Sequence, residues 1–139
     1  ADPVDVEDAI ERAQALVAEY CIRGLLEGHL QHIIDTYAHK SRAMQTALED
    51  NVPAAAASWH MPQGGFFFWL ELARGSSRSL FDRAVEEKVA FVPGGAFFPD
   101  ADEQVGDVLT GDGFARLCFT FANDEAIEEG CRRLARALS

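Results

Sequence analysis

The spacing of apolar residues changes about a third of the way along the chain, and this change constrains the fold more than any other feature. Before it, apolar residues recur at intervals of three and four, which is typical of amphipathic helices. Gly24 and Gly28 are expected to interrupt this pattern. The apolar spacing over residues 5–50 therefore predicts two helices. Pro53 then ends the helical run, because the residue before a proline avoids the helical region.

Shorter segments in the rest of the chain alternate between strand and helix patterns. The aromatic run from Phe66 to Leu72 indicates a strand buried on both faces or nearly so. A polar, acidic loop is expected over residues 99–113, and Ser77 or Ser79 is expected to cap the helix after the aromatic strand. The predicted strands are residues 58–61, 66–72, 89–92 and 115–121, and the predicted helices are residues 80–88 and 125–138.

The order of these elements predicts the fold class. A small sheet of this kind must bury one face, and the amphipathic helices can cover it. We therefore expect an α+β fold of two layers, in which helices pack on one face of a small, mostly antiparallel sheet. A long helical segment precedes this domain.

Acidic residues outnumber basic ones, with 23 Asp and Glu against 12 Lys and Arg and a net charge of −11. This balance excludes a general nucleic-acid binder and argues against docking on an anionic membrane, because both need a basic surface. No apolar run approaches the roughly 20 residues of a membrane span. The three cysteines form no C-x-x-C pair and are interpreted as reduced, buried thiols. We therefore expect a cytoplasmic protein, and 139 residues suit one domain.

The common motifs of catalytic and metal sites do not occur in the sequence. It contains neither a phosphate-binding glycine loop nor the motif around a nucleophilic serine. His29 and His32 are spaced for one face of a helix, but no third ligand accompanies them, so they are interpreted as solvated. We therefore expect no metal site, and spacing alone assigns no catalytic residue.

Arg116 is unusual because it lies inside an apolar strand, Ala115 to Phe119. An arginine in such a position needs an anionic partner or access to a cleft. It could lie at the edge of the sheet and pair with a local carboxylate. Alternatively, its planar guanidinium could bind the carboxylate of a ligand with two hydrogen bonds.

Five segments carry motifs that occur together, in the same order, in one known family. Residues 61–69, MPQGGFFFW, resemble P-x-G-G-[FM]-F-x-W, and residues 89–98, VAFVPGGAFF, resemble G-V-x-[FV]-x-P-G-x-x-F. The other three are residues 26–44 for a long entering helix, residues 116–119 for R-L-x-F and residues 127–134 for I-x-E-G-[IV]-x-R-L. On these segments the chain resembles the C-terminal small domain of class I/II, fold-type I aminotransferases, which depend on pyridoxal phosphate.

The resemblance implies a function for the parent protein and a role for one residue. Such a parent moves an amino group between an amino acid and a 2-oxo acid through pyridoxal phosphate, and it is expected to be a homodimer. Arg116 matches the arginine of the family that binds the α-carboxylate of the substrate. Residues 1–25 would form a helical segment linking to an absent large domain, and residues 26–139 would form the small domain.

The chain also departs from the family pattern. The family's catalytic lysine lies in an S-x-x-K-like context, which neither Lys40 nor Lys88 matches, and the aspartate and phosphate-binding groups that hold the cofactor belong to the large domain. Where relatives have Y-x-x-R-R-D-x-M, residues 37–44 read YAHKSRAM. The resemblance therefore implies that this chain alone neither binds pyridoxal phosphate nor transaminates.

Two other functions stay open. A stand-alone α+β module that senses an amino acid could use Arg116 without a cofactor. A protein-interaction or dimerisation domain would need no small-molecule site.

Overall fold

The computed structural model describes residues 6–98 and 111–139, together with the backbone of Gln104–Val105 and Val108–Leu109. The chain divides into two units, Ala1–Thr36 and Tyr37–Ser139. In chain order, the elements are α1 (Val6–Ile22), α2 (Leu25–Asn51), β1 (Ala57–Trp59), β2 (Phe67–Leu72), α3 (Ser77–Glu86), β3 (Val92–Pro93), a 3₁₀ helix (Gly94–Phe97), β4 (Gln104–Val105), β5 (Val108–Leu109), β6 (Phe114–Cys118) and α4 (Asp124–Leu138).

The first unit is helical over its described residues, as the apolar spacing predicts. Gly24 separates α1 from α2 and adopts a φ of +69°, a left-handed conformation that glycine tolerates best. The predicted interruption at Gly28 is wrong, because Gly28 lies inside α2. A glycine within a helix costs only about 1 kcal/mol, which is too little to end the helix. No residue of α1 is buried.

The second unit contains a four-stranded sheet in the order β1-β2-β6-β3, with every neighbouring pair antiparallel. Strands β4 and β5 form a separate antiparallel pair. That pair lies within the segment predicted as an acidic loop, residues 99–113, most of which lies outside the described residues. The central strands β2 and β6 pair over five residue positions, from Phe67 opposite Cys118 to Glu71 opposite Phe114.

Helices cover one face of the four-stranded sheet, which confirms the predicted two-layer α+β fold. Alternate residues of β2 and β6 are buried on that face, and the rings of Phe68 and Phe119 meet edge to face at 6.0 Å. The prediction that the aromatic strand is buried on both faces is wrong, because Trp69 and Glu71 are exposed. The helices supply the other half of the core, which includes Met44, Ala47 and Leu48 of α2, Leu80 and Ala84 of α3, and Ile127, Cys131 and Leu134 of α4.

The ends of two helices are capped by side chains. Ser76 caps α3, since its hydroxyl accepts hydrogen bonds from the backbone N–H groups of Arg78 and Ser79. The expectation that Ser77 or Ser79 is the cap is therefore wrong by at least one residue. Asn123 caps α4 by accepting a hydrogen bond from the backbone N–H of Ala126 at 2.9 Å.

The predicted strand over residues 89–92 is shorter than expected. Only Val92 and Pro93 pair with β6, because Val89 still donates its backbone N–H to the end of α3, at the carbonyl of Ala84. The chain then turns into the 3₁₀ helix. Among the residues described, no helix has the length and apolar character to cross a membrane.

Candidate functional site

The face of the sheet opposite the helices carries a group of aromatic side chains and one arginine. We call this surface the open face. Side chains of a strand alternate between faces, so the register puts Trp69 and Val92 on the same face as Arg116 and directly opposite it. The open face consists of Phe67, Trp69 and Glu71 of β2, Phe114, Arg116 and Cys118 of β6, and Val92 of β3.

Arg116 lies at the centre of the sheet, because β6 is paired on both sides. The alternative of an arginine at the sheet edge is therefore wrong. Its Cζ atom lies over the ring of Phe67, 4.0 Å from the ring centroid, and over the ring of Phe97, 4.2 Å from the centroid. Within residues 6–98 and 111–139, no carboxylate forms an ion pair with this guanidinium.

The rings beside Arg116 are themselves held by other rings. Phe97 meets Trp69 edge to face at 5.2 Å, and Trp69 meets Phe114 at 6.4 Å. On the other side, Phe67 meets Phe66 at 6.2 Å with the two ring planes at 90°. These edge-to-face contacts are the favoured geometry of aromatic pairs, so each ring that contacts Arg116 is packed against a neighbouring ring.

The 3₁₀ helix reaches the open face because the chain passes very close to the start of β6. A Cβ atom on Gly94 would lie 2.7 Å from the Cβ of Phe114 and would also collide with the carbonyl oxygen of Gly111. Only glycine allows this approach of two backbones. The approach brings Phe97, at the end of the 3₁₀ helix, over Arg116.

The buried carboxylate of Asp112 holds the segment just before β6 in place. Asp112 accepts hydrogen bonds from the hydroxyl of Ser77 at 3.2 Å and from the backbone N–H of Arg78 at 3.3 Å. The backbone N–H of Ser77 also donates to the carbonyl of Asp112 at 2.6 Å. The segment that leads into β6 is therefore tied to the start of α3, which sets the position of the strand that carries Arg116.

The open face can bind an anion through Arg116. A guanidinium presents its N–H donors in its own plane, so a ring that stacks on its face does not compete for them. Its partly desolvated charge attracts a carboxylate more strongly than a fully hydrated one would. Such a site selects ligands that carry a negative charge on a planar group. The aromatic rings around it offer an apolar surface to the rest of the ligand.

The two lysines lie away from Arg116. Lys40 belongs to α2 and donates from Nζ to the carbonyl of Thr120 at 2.6 Å. Lys88 is exposed just after α3, where its φ is +61°. Both therefore belong to the helical layer and not to the open face.

The histidines and cysteines, all of which the structure describes, belong to no group of side chains that could hold a metal ion. His29 and His32 are exposed on α2, as predicted, and the ring of His29 meets Tyr20 edge to face. In the part of the chain that the structure describes, no three His, Cys, Asp or Glu side chains are grouped so as to hold a metal ion. The expectation of buried thiols is wrong for Cys21 and Cys118, which are exposed; only Cys131 is buried.

The contacts of Phe67 and Phe97 with Arg116 are the part of the site that sequence reasoning missed. The signal for Phe67 is present in the sequence, because alternation places it on one face with Trp69. No sequence signal indicates Phe97, since the 3₁₀ helix is brought to β6 by the pairing of β3 and by the close approach at Gly94.

Comparisons with known proteins agree on one family. The profile of the family described as aspartate amino-transferase matches residues 10–135. The 2-aminoadipate transaminase of Thermus thermophilus is 41% identical over 126 residues, which are 90% of this chain and 29% of that protein. The chain thus spans less than a third of the length of this relative.

Solved structures give the same result. The α-aminoadipate aminotransferase of Thermus thermophilus, in complex with N-(5'-phosphopyridoxyl)-L-leucine, superimposes with a TM-score of 0.76 and 42% identity over 90% of this chain and 30% of that one. The multiple substrate aminotransferase of Thermococcus profundus has a TM-score of 0.78 and 36% identity, over 90% of this chain and 29% of that one.

Proposed function

The chain belongs to the aspartate amino-transferase family as its C-terminal small domain, and we propose that Arg116 binds the substrate α-carboxylate in the parent enzyme. That enzyme moves an amino group between an amino acid and a 2-oxo acid. We also propose that residues 26–139 belong to the small domain and that residues 1–25 link it to the large domain; the compact unit Tyr37–Ser139 lies within the first of these ranges.

The surroundings of Arg116 are the observation that supports this role. The arginine lies in the central strand, among aromatic rings, and no carboxylate of the described residues neutralises it. An ion pair would compete with a ligand for the donors of the guanidinium, and among the described residues Arg116 forms none. A bidentate hydrogen bond between a guanidinium and a carboxylate is both strong and specific in orientation.

The residues of this chain do not fit the attachment of the cofactor. When pyridoxal phosphate is bound in an enzyme of this family, it supplies the electron sink of the reaction. Covalent attachment needs a lysine beside the substrate, but Lys40 is hydrogen-bonded to Thr120 and Lys88 lies at the end of α3. We assign this chain a role in substrate binding, and we expect it to be inactive alone.

The carboxylate role can be tested on the 139-residue chain by NMR titration with pyruvate and with its neutral isostere pyruvamide. We expect pyruvate to shift the amide signals of β6 and pyruvamide to leave them unchanged. Arg116→Gln should weaken pyruvate binding about 10- to 100-fold, the range expected for hydrogen bonds to a charged group. Arg74→Gln, which removes an exposed arginine elsewhere, is the matched control. Equal binding of pyruvate by the native chain and by Arg116→Gln would refute the role.

Inactivity of the chain alone needs a separate experiment. The native chain is incubated with pyridoxal phosphate, an amino acid and a 2-oxo acid, and formation of the new amino acid is followed by chromatography. We expect no product above the level formed by free cofactor. Turnover above that level that disappears in Lys40→Arg or Lys88→Arg would overturn the proposal.

The alternative of a stand-alone amino-acid sensor uses the same arginine, so the titration does not separate it from an enzyme domain. The coding sequence around this chain does separate them. A continuous reading frame with an S-x-x-K lysine upstream supports the enzyme, and a complete frame without one supports the sensor.

A further inference from the structure

We infer that Phe67 and Phe97 are positioning residues, which hold the guanidinium of Arg116 so that its N–H edge faces an incoming carboxylate. The inference deepens the proposed function of Arg116 and rests on it. It concerns two aromatic side chains that need not touch the substrate.

The geometry places both rings at stacking distance. The Cζ atom of Arg116 lies 4.0 Å from the centroid of Phe67 and 4.2 Å from that of Phe97, which is the separation of a guanidinium lying over a ring. The rings come from different elements, β2 and the 3₁₀ helix. Two contacts of this kind from separate parts of the fold restrict the orientation of the guanidinium more than one would.

Each of the two rings is itself supported by a neighbouring ring. Phe97 is fixed by its edge-to-face contact with Trp69, and Phe67 by the corresponding contact with Phe66. Phe66 in turn meets Tyr37 at 5.3 Å. Each ring that contacts Arg116 is thus backed by another ring.

Holding the guanidinium in place favours binding for two reasons. An arginine side chain has many rotamers, and fixing it in advance reduces the entropy lost when a carboxylate binds. The ring faces also replace water over the flat surface of the cation without consuming its donors, because the attraction is to the ring quadrupole. An aliphatic side chain of similar size would fill the space but provide no such attraction.

The experiment compares four variants of the 139-residue chain with the native chain. Phe67→Leu and Phe97→Leu remove the aromatic face, Phe97→Tyr keeps it, and Phe121→Leu removes a ring that is 99% exposed elsewhere. The NMR signal of the Arg116 Nε–H group reports the ring-current field of its neighbours. Pyruvate affinity is measured in the same samples.

We expect the two leucine variants to move the Arg116 Nε–H signal downfield and to raise the Kd for pyruvate about two- to fivefold, as loss of a partly exposed cation–π contact predicts. Phe97→Tyr should keep both the signal and the Kd of the native chain, and Phe121→Leu should change neither. A role that depended only on filling space would not distinguish tyrosine from leucine at position 97, and a role only in packing against Trp69 would leave the Kd for pyruvate unchanged. If Phe67→Leu does not fold, the test relies on Phe97→Leu. Phe97 is 40% exposed, so the fold should tolerate its replacement.

The possible failures are distinguishable. If the native chain bound pyruvate and the neutral pyruvamide equally well, the proposed function would be wrong, and this inference would fall with it. Pyruvate binding that depends on Arg116 but is equally tight in Phe97→Leu and the native chain would overturn the positioning role alone.

Discussion

Arg116 and Cys131 show how the two layers of one small domain give their side chains opposite properties. Arg116 lies on the open face, where two aromatic rings contact its guanidinium and no carboxylate of the described residues pairs with it. Cys131 lies under the helices and is buried. Burial raises the pKa of its thiol to about 12, and the negative charge of Glu128 adds to the shift. The thiol therefore stays protonated and unreactive near neutral pH.

The cysteines should consequently react at different rates with a thiol reagent. At pH 8, we expect Cys21 and Cys118, which are exposed, to be modified promptly, and Cys131 to react only when the chain unfolds. A pKa near 12 leaves about a thousandfold less thiolate than the usual value of 9.0, and burial slows the reaction further. Counting fast thiols with a chromogenic disulfide checks this.

The variant Cys131→Ala is the control for that measurement, because it should keep two fast thiols and lose the slow one. Three fast thiols in the native chain would contradict the buried position of Cys131.

At the scale of single residues, the sequence identifies Arg116 but not its partners. A charged residue within an apolar strand is visible without any structure. Phe97, by contrast, precedes Arg116 by a long segment, and no periodic pattern connects the two. Their contact depends on the register of β3 with β6, which is a property of the folded sheet.

At the scale of elements, one glycine controls how the 3₁₀ helix meets β6. Gly94→Ala should reduce the free energy of unfolding by about 2–3 kcal/mol, because the added Cβ would overlap the backbone of Gly111 and Phe114. Urea denaturation followed by circular dichroism measures the loss.

A second glycine of the same unit provides the matched control. Gly130 lies within α4, where an added Cβ would meet Val89 only at 4.0 Å. Gly130→Ala should therefore stabilise the chain by about 0.5–1 kcal/mol, since alanine favours a helix over glycine. If both substitutions had the same effect, close approach at Gly94 would not be the cause.

Elements whose signals are local are predicted well, and those that depend on distant contacts are not. The helix α4 (Asp124–Leu138) agrees within one residue with the predicted helix over residues 125–138, because the capping side chain of Asn123 and the apolar spacing after it are neighbours in the chain. The strand expected at residues 89–92 shrinks to Val92–Pro93, because a hydrogen bond from Val89 to α3 competes with strand pairing. Ser77 is a plausible cap from its sequence, but Asp112 engages its hydroxyl.

At the scale of the whole molecule, the net charge of −11 destabilises the folded state, because like charges on its surface repel one another. Salt screens repulsion between surface charges, as the Debye length falls from about 30 Å at 0.01 M to about 8 Å at 0.15 M. We therefore expect the midpoint of thermal unfolding at pH 7 to rise between low and molar NaCl. Differential scanning calorimetry across this range measures it.

The same measurement at pH 4.6, close to the isoelectric point, tests the cause. The rise should be much smaller there, because little net charge remains to be screened. A midpoint at pH 7 that does not rise with salt would show that repulsion between acidic surface groups does not destabilise the folded chain.

The pairing of β2 with β6 has a consequence for folding kinetics. These strands are separated by about 40 residues of chain, and closing so long a loop precedes any gain from their contacts. Trp69 and Arg116 become neighbours only when this loop has closed. The surroundings of Arg116 therefore cannot form before this loop has closed, and a substitution that slows loop closure would delay the appearance of binding-competent chain while leaving every residue around the arginine intact.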